Sequence, residues 1–235
     1  MTDPYLDVFP QKPVSTVAEV LAAMTAIEAA APKGDGIACF NRLYQKTTEN
    51  IAQRIDAGGF ADPVYLAKLD VIFANRYFLG VRACLEGAAD APRAWLPLVE
   101  ARSDREIAPI QFALAGMNAH INRDLAPSLV DAFEGRAWPE ADSAERSDYD
   151  KVNDVLADTE AEVKGVLEGE ILAEIDRALG DIDDVLALWS VRKARGAAWI
   201  WGETLFALKT HPRLSNETLL AIDRMAAMAS RGLLL

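Results

Sequence analysis

The chain has 235 residues, 51% of them hydrophobic and 26% charged, with 14 Gly, 11 Pro and 2 Cys. That length buries a substantial core, and the composition is globular, which excludes a disordered, collagenous or disulfide-stapled chain. The net charge of −12 argues against a nucleic-acid binder, whose attraction to phosphate needs clustered Lys and Arg.

In chain order, almost every segment carries apolar residues at helical spacing, and no run alternates convincingly with period two. Residues 1–13 are expected to be extended and lack the basic start and apolar centre of a secretory signal. Ser15–Ala31 is the first predicted helix, with Val17, Val20, Leu21, Met24 and Ile27 on one stripe. Ile37–Ala57 is the second, with Phe40, Leu43, Tyr44, Thr47 and Ile51 inward, and Gly58-Gly59 ends it. Asp62-Pro63 is an N-cap followed by proline at the first helical position, and the helix it opens reaches about Glu86. A short helix surrounds Trp95. A long helix is predicted from Ser103 or Asp104 to about Phe133, followed by a loop over 135–147. Helical patterning returns over about Asp150–Leu167, Glu170–Leu179, Ile182–Lys209 and Asn216–Arg231.

These elements predict an all-α fold. One domain over 1–235 would pack about eight helices around a central helix near residues 105–133. No apolar run approaches the ~20 residues of a membrane span. Cys39 and Cys84 have no metal-type spacing and read as free thiols of a reducing compartment, so a cytoplasmic protein is expected. Residues 140–184 hold 16 acidic and 4 basic residues, a local balance that accounts for the whole net charge. Such a stretch reads as a solvated face or as a docking surface for a basic protein partner.

The informative residues are polar ones inside the apolar pattern. At 100° per residue, Ile107, Ile110, Leu114, Met117, Ile121 and Leu125 form one stripe of the long helix. Asn118 and Asn122 flank it on one side, as helix-to-helix clamps or substrate binders. His120 and Asp124 flank it on the other, spaced i,i+4. A carboxylate there can orient the imidazole for acid–base work, the two can ligate a metal, or they can form a buried structural bond. Pro127 leaves the carbonyl of Arg123 without its helical donor, so a kink or helix end is expected just after Asp124. On the third helix, Asp70 shares a face with Leu66, Phe73, Tyr77 and Cys84, and a buried carboxylate must be paired or protonated. Arg76, Arg192 and His120 are its candidate partners. On the helix from Ile182, Arg192, Trp199 and Glu203 share a face, readable as an aromatic seam with an ion pair or as a pocket wall with an anion-holding arginine.

No dinucleotide, phosphate-loop, nucleophile-elbow or His-Glu zinc motif is present. With only two histidines, the second being His211 beside Pro212, a multi-histidine zinc site is excluded. The first functional reading is therefore an acid–base enzyme of hydrolase, lyase or cyclase type, without a cofactor, acting on a small, partly apolar molecule between helices. Its catalytic residues would be His120, Asp124 and Asp70, with Asn118, Asn122, Tyr77, Arg192, Trp199 and Glu203 binding substrate. The alternatives are a non-catalytic helical module that binds a ligand or protein, and a divalent-metal enzyme using His120, Asp124 and Asp70.

The runs FADPVYLAKLDVIFANRY (60–77), AGMNAHINRDL (115–125) and DYDKVN (148–153) resemble a bacterial family known only as a domain of unknown function. The likeness extends from about Asp35 to about Phe206. It implies an all-helical fold and a cytosolic bacterial origin, with no known reaction. The H-x-x-x-D spacing of His120 and Asp124 is also similar to that of helical zinc-dependent phospholipases and nucleases. The further histidines of their trinuclear site are missing here, so that activity is not implied.

Overall fold

The computed structural model describes residues 3–157 and 190–235, and all regular structure among them is helical. The fold is all-α, as the periodicity predicts. Helix α1 spans Val17–Ala30, α2 Gly36–Asp56, α3 Pro63–Glu86 and α4 Leu96–Ala101. Next come α5 (Pro109–Ala119), a π-helical turn (His120–Asp124) and α6 (Leu125–Ala132). Residues 144–157 form α7, and α8 (Val191–Ala207) and α9 (Pro212–Leu233) complete the described chain. The predicted helix over Glu170–Leu179 and the 158–184 part of the acidic stretch lie outside the described residues.

Several boundaries follow from local chemistry. Asp62 caps α3 by accepting from the Tyr65 N–H at 2.9 Å, with Pro63 at the first position, and Gly87 ends the helix at φ 67°. The long helix starts at Pro109 rather than near Asp104. Pro109 forces Ala108 into an extended conformation, and the Gln111 side chain accepts from the Ala108 N–H at 3.0 Å. The last helix begins a turn earlier than Asn216, because Pro212 likewise suits a first helical position. The 135–147 loop ends early, where Ser143 Oγ accepts from the Arg146 N–H and starts α7.

The N-terminal segment is not simply extended. Asp3 caps a 3-10 turn over Pro4–Asp7, and Tyr5 and Phe9 are buried in the core. The Tyr5 hydroxyl donates to Asp35 at 2.9 Å, and Arg82 donates to the Leu6 and Phe9 carbonyls. Two aromatic side chains in the first nine residues bury enough apolar area to hold the segment down.

The helix broken by the π-turn is central. Its α5 half packs against α2 and α9, and its α6 half against α3 and α8. Two apolar cores meet along it. One gathers Phe9, Phe40, Tyr77, Phe78 and Trp95, and the other Leu66, Ile121, Leu129, Phe133, Tyr149 and Trp199. The disturbance expected just after Asp124 is absorbed in the turn before it. The helix widens over His120–Asp124 and continues through Pro127, while Ser128 Oγ donates back to the Asp124 carbonyl at 2.7 Å. No helix among the described residues is long and apolar enough to cross a membrane.

Candidate functional site

The π-turn sets His120 at the junction of the two cores, almost wholly buried. Its imidazole stacks on Phe73 with ring centres 3.5 Å apart and nearly parallel, and Tyr44 meets it edge-on at 4.5 Å. Phe40, Tyr77 and Trp95 complete an aromatic box around it. Close packing of Phe40 depends on Gly116, where a Cβ would stand 2.3 Å from the Phe40 ring.

His120 Nδ1 lies 3.2 Å from Asp124 Oδ2. Asp124 is fully buried, and its oxygens also accept from Trp95 Nε1 at 3.0 Å and Arg123 Nη1 at 2.6 Å. Burial opposes the charge on Asp124, but Arg123 and the His120 bond outweigh it and hold the carboxyl below the usual range. Burial lowers the His120 pKa against the pull of Asp124. The histidine is therefore neutral at pH 7. Because Asp124 is an acceptor only, the proton sits on Nδ1, leaving Nε2 as a free base. Nε2 is buried and has no hydrogen-bond partner.

That imidazole lines a cavity of about 80 Å³, room for several waters or a small organic group, since one water needs ~10–15 Å³. Most of the wall is apolar: Leu43, Ile51, Leu66, Leu69, Phe73, Met117 and Val152 among others. Asp70 also lines it, and its Oδ2 is buried without a partner. Burial raises its pKa, to about 7, and among the described residues it forms no ion pair. Its expected partners are engaged elsewhere, Arg76 with Asp131 and Arg192 with Asp154. The Tyr44 hydroxyl, on the same wall, is buried and unpartnered too.

Arg195 is the cavity's remaining charged residue, and sequence reasoning passed it over. It is 6% exposed, donates through Nε to Asn153 Oδ1 at 3.0 Å and through Nη2 to the Tyr149 carbonyl at 2.7 Å, and lies over the Tyr149 ring. The signal was present in residues 148–153. Asp148 holds the Ala61 and Asp62 N–H groups, Tyr149 donates its hydroxyl to the Arg195 carbonyl, and Asn153 takes the guanidinium.

The other expected binding residues lie off the cavity wall. Asn118 donates to the Ala226 carbonyl and Ser230 Oγ, both at 2.8 Å, and accepts from Asn122 Nδ2 at 2.8 Å, so the pair clamps α5 to α9. Buried amides take the nearest partners that satisfy them, and α9 supplies these first. The Tyr77 hydroxyl donates to Asn41 behind the imidazole. Arg192 and Glu203 are exposed, and Arg192 reaches Asp154 of α7 rather than the cavity. Trp199 is buried in the second core beneath Arg146, whose guanidinium lies 4.5 Å from its ring.

Among the described residues no three His, Cys, Asp or Glu groups converge as ligands. Asp124 already spends both oxygens on Trp95, Arg123 and His120. What the fold defines is an all-helical protein with a small inter-helical cavity carrying a buried imidazole, a carboxyl and a guanidinium. The chain belongs to a family of unknown function, DUF5995, whose model matches residues 17–235. No curated protein and no solved structure matches it.

Proposed function

We propose that the cavity is a proton-transfer site, and that the protein is a cofactor-independent acid–base enzyme acting on a small, largely apolar molecule. One observation carries this reading: the side chains of His120 and Asp70 line the same apolar cavity, and each carries a buried polar atom, Nε2 and Oδ2, without a partner among the described residues. Orphaned buried polar atoms are costly unless a ligand completes them.

In this reading His120 is the base that takes a proton, Asp124 fixes its tautomer, and the protonated form of Asp70 is the acid that delivers its own proton or bonds a developing oxyanion. The Tyr44 hydroxyl is a second donor. Among the described residues no Ser or Cys stands on the cavity wall to act as nucleophile. The wall is built of helix faces, whose backbone N–H groups are already bonded, so stabilisation of an oxyanion falls to side chains. Proton abstraction next to a polarised group, as in a lyase or cyclising step, suits this set better than acyl transfer.

The test is incubation in deuterated water with a panel of small ketones and unsaturated carbonyl compounds, read by mass spectrometry for exchange or turnover. A positioned base contributes ~10²–10⁴-fold, so His120→Gln should lose at least ~10²-fold with folding retained. Equal rates in wild type and variant, or no exchange across the panel, contradict the reading.

A further inference from the structure

Acid–base residues say where protons go but not what holds the ligand. Arg195 bears on that question. Buried charges are normally paired with opposite ones, because leaving a lone ion out of water costs several kcal/mol. The guanidinium of Arg195 is 6% exposed, yet its hydrogen bonds go to a neutral amide oxygen and a neutral carbonyl. These bonds use two of its five N–H groups. Among the described residues no carboxylate lies within ion-pair distance of it; Asp154, which follows Asn153 on α7, pairs with Arg192. Tyr149, stacked at 4.1 Å, and Asn153 hold the guanidinium in one orientation on the cavity wall. The charge is thus fixed and desolvated beside an apolar space, with no carboxylate paired to it among the described residues.

We propose that Arg195 is the anion-binding residue of this cavity and that its ligand is a small hydrophobic monocarboxylate. A single guanidinium balances one negative charge. A phosphate monoester dianion would leave a second charge unmatched among Leu, Ile, Phe and Val side chains. The apolar wall then takes the hydrocarbon body, and Asp70 and His120, on the wall of the same cavity, serve the reacting end. The substrate class deepens the acid–base reading, and rests on it only for which end of the ligand reacts. It also explains how an anion would bind a chain of net charge −12: the attraction is local, in a medium of low dielectric, where distant surface charge is screened.

The decisive comparison is between acids and their uncharged amides: hexanoate against hexanamide, and phenylacetate against phenylacetamide, titrated calorimetrically into the full chain. Each acid should bind at least ~10-fold tighter than its amide, about 1.4 kcal/mol, and should raise the melting temperature in proportion to its saturation. Arg195→Gln should bring the ratio close to one, and Arg192→Gln, at the exposed arginine of the same helix and off the cavity wall, should leave it unchanged. Equal binding of acid and amide by the wild type, or no saturable binding of either acid at millimolar concentration, overturns the proposal. Arg195→Lys, which keeps the charge without the planar fork, gives a second reading if Arg195→Gln fails to fold, and undiminished acid preference in a folded Arg195→Gln also overturns it. Because the readout is equilibrium binding, failure of the acid–base mechanism leaves this result standing, and the converse holds.

Discussion

Two buried polar groups of residues hang on the same central helix and behave oppositely. On the α9 side, Asn118, Asn122, Ser230 and the Ala115 and Ala226 carbonyls form a closed circuit in which the Asn118 amide is bonded at both ends. On the α3 side, His120 Nε2, Asp70 Oδ2 and the Tyr44 hydroxyl are equally buried and have no hydrogen-bond partners among the described residues. The residue types are similar; the surroundings differ. The first group faces another helix, and the second faces a cavity. Saturated bonding marks a structural clamp, and missing bonds around an empty space mark a place where a ligand completes the set.

Mutations that separate the two sides make the comparison quantitative. The largest loss belongs to Asp124, which anchors His120 on the cavity side. Asp124→Asn should cost about 3–5 kcal/mol in urea unfolding, because it breaks a buried charge pair with Arg123. It should also free the imidazole to switch tautomer. Asp70→Asn should act with the opposite sign. The Asp70 pKa is near 3.8 when the chain is unfolded and about 7 when it is folded. Across that interval the native state holds a proton that the unfolded chain has released. Stability is full below about pH 4 and declines as pH rises to about 7. The variant should therefore gain on the wild type by on the order of 4 kcal/mol between pH 4 and pH 8. His120, whose pKa is lowered, contributes the reverse slope as pH falls below its usual 6.5, but it is common to both proteins and cancels in the difference.

Smaller effects complete the contrast. Asn118→Ala strips the clamp and should cost about 1–3 kcal/mol, since Ser230 and the Ala226 carbonyl lose a buried partner. Tyr44→Phe removes a hydroxyl that bonds nothing in the cavity, and should change stability by less than about 1 kcal/mol. If Tyr44→Phe destabilised as strongly as Asn118→Ala, the distinction between completed and incomplete polar groups would fail.

Much of this was legible in the residues. The i,i+4 spacing of His120 and Asp124 gave their pairing, and Asp70 stood out as a carboxylate in an apolar stripe. The Asp62-Pro63 start of α3 needed only local chemistry. What lay beyond reach was set by partners distant in sequence. Arg192 and Arg195 sit on one helix less than a turn apart, and the stripe with Trp199 favoured the former. Arg195 is inward because Tyr149 and Asn153, more than 40 residues away, receive it. Nor could the sequence decide whether Asn118 faced a cavity or Ser230, because the choice depends on where α9 docks. The π-turn was foreshadowed by Pro127, but a proline signals only that a carbonyl loses its donor, not which turn widens in response.

The most direct test of the central claim is nitrogen-15 NMR of the His120 side chain at pH 7. The account predicts a neutral imidazole with the proton on Nδ1 and a bare Nε2, protonating only below the ordinary histidine range, with Nε2 shifting when a small carboxylic acid fills the cavity. An imidazolium at pH 7, or a proton on Nε2, would contradict it, because the cavity would then contain no base.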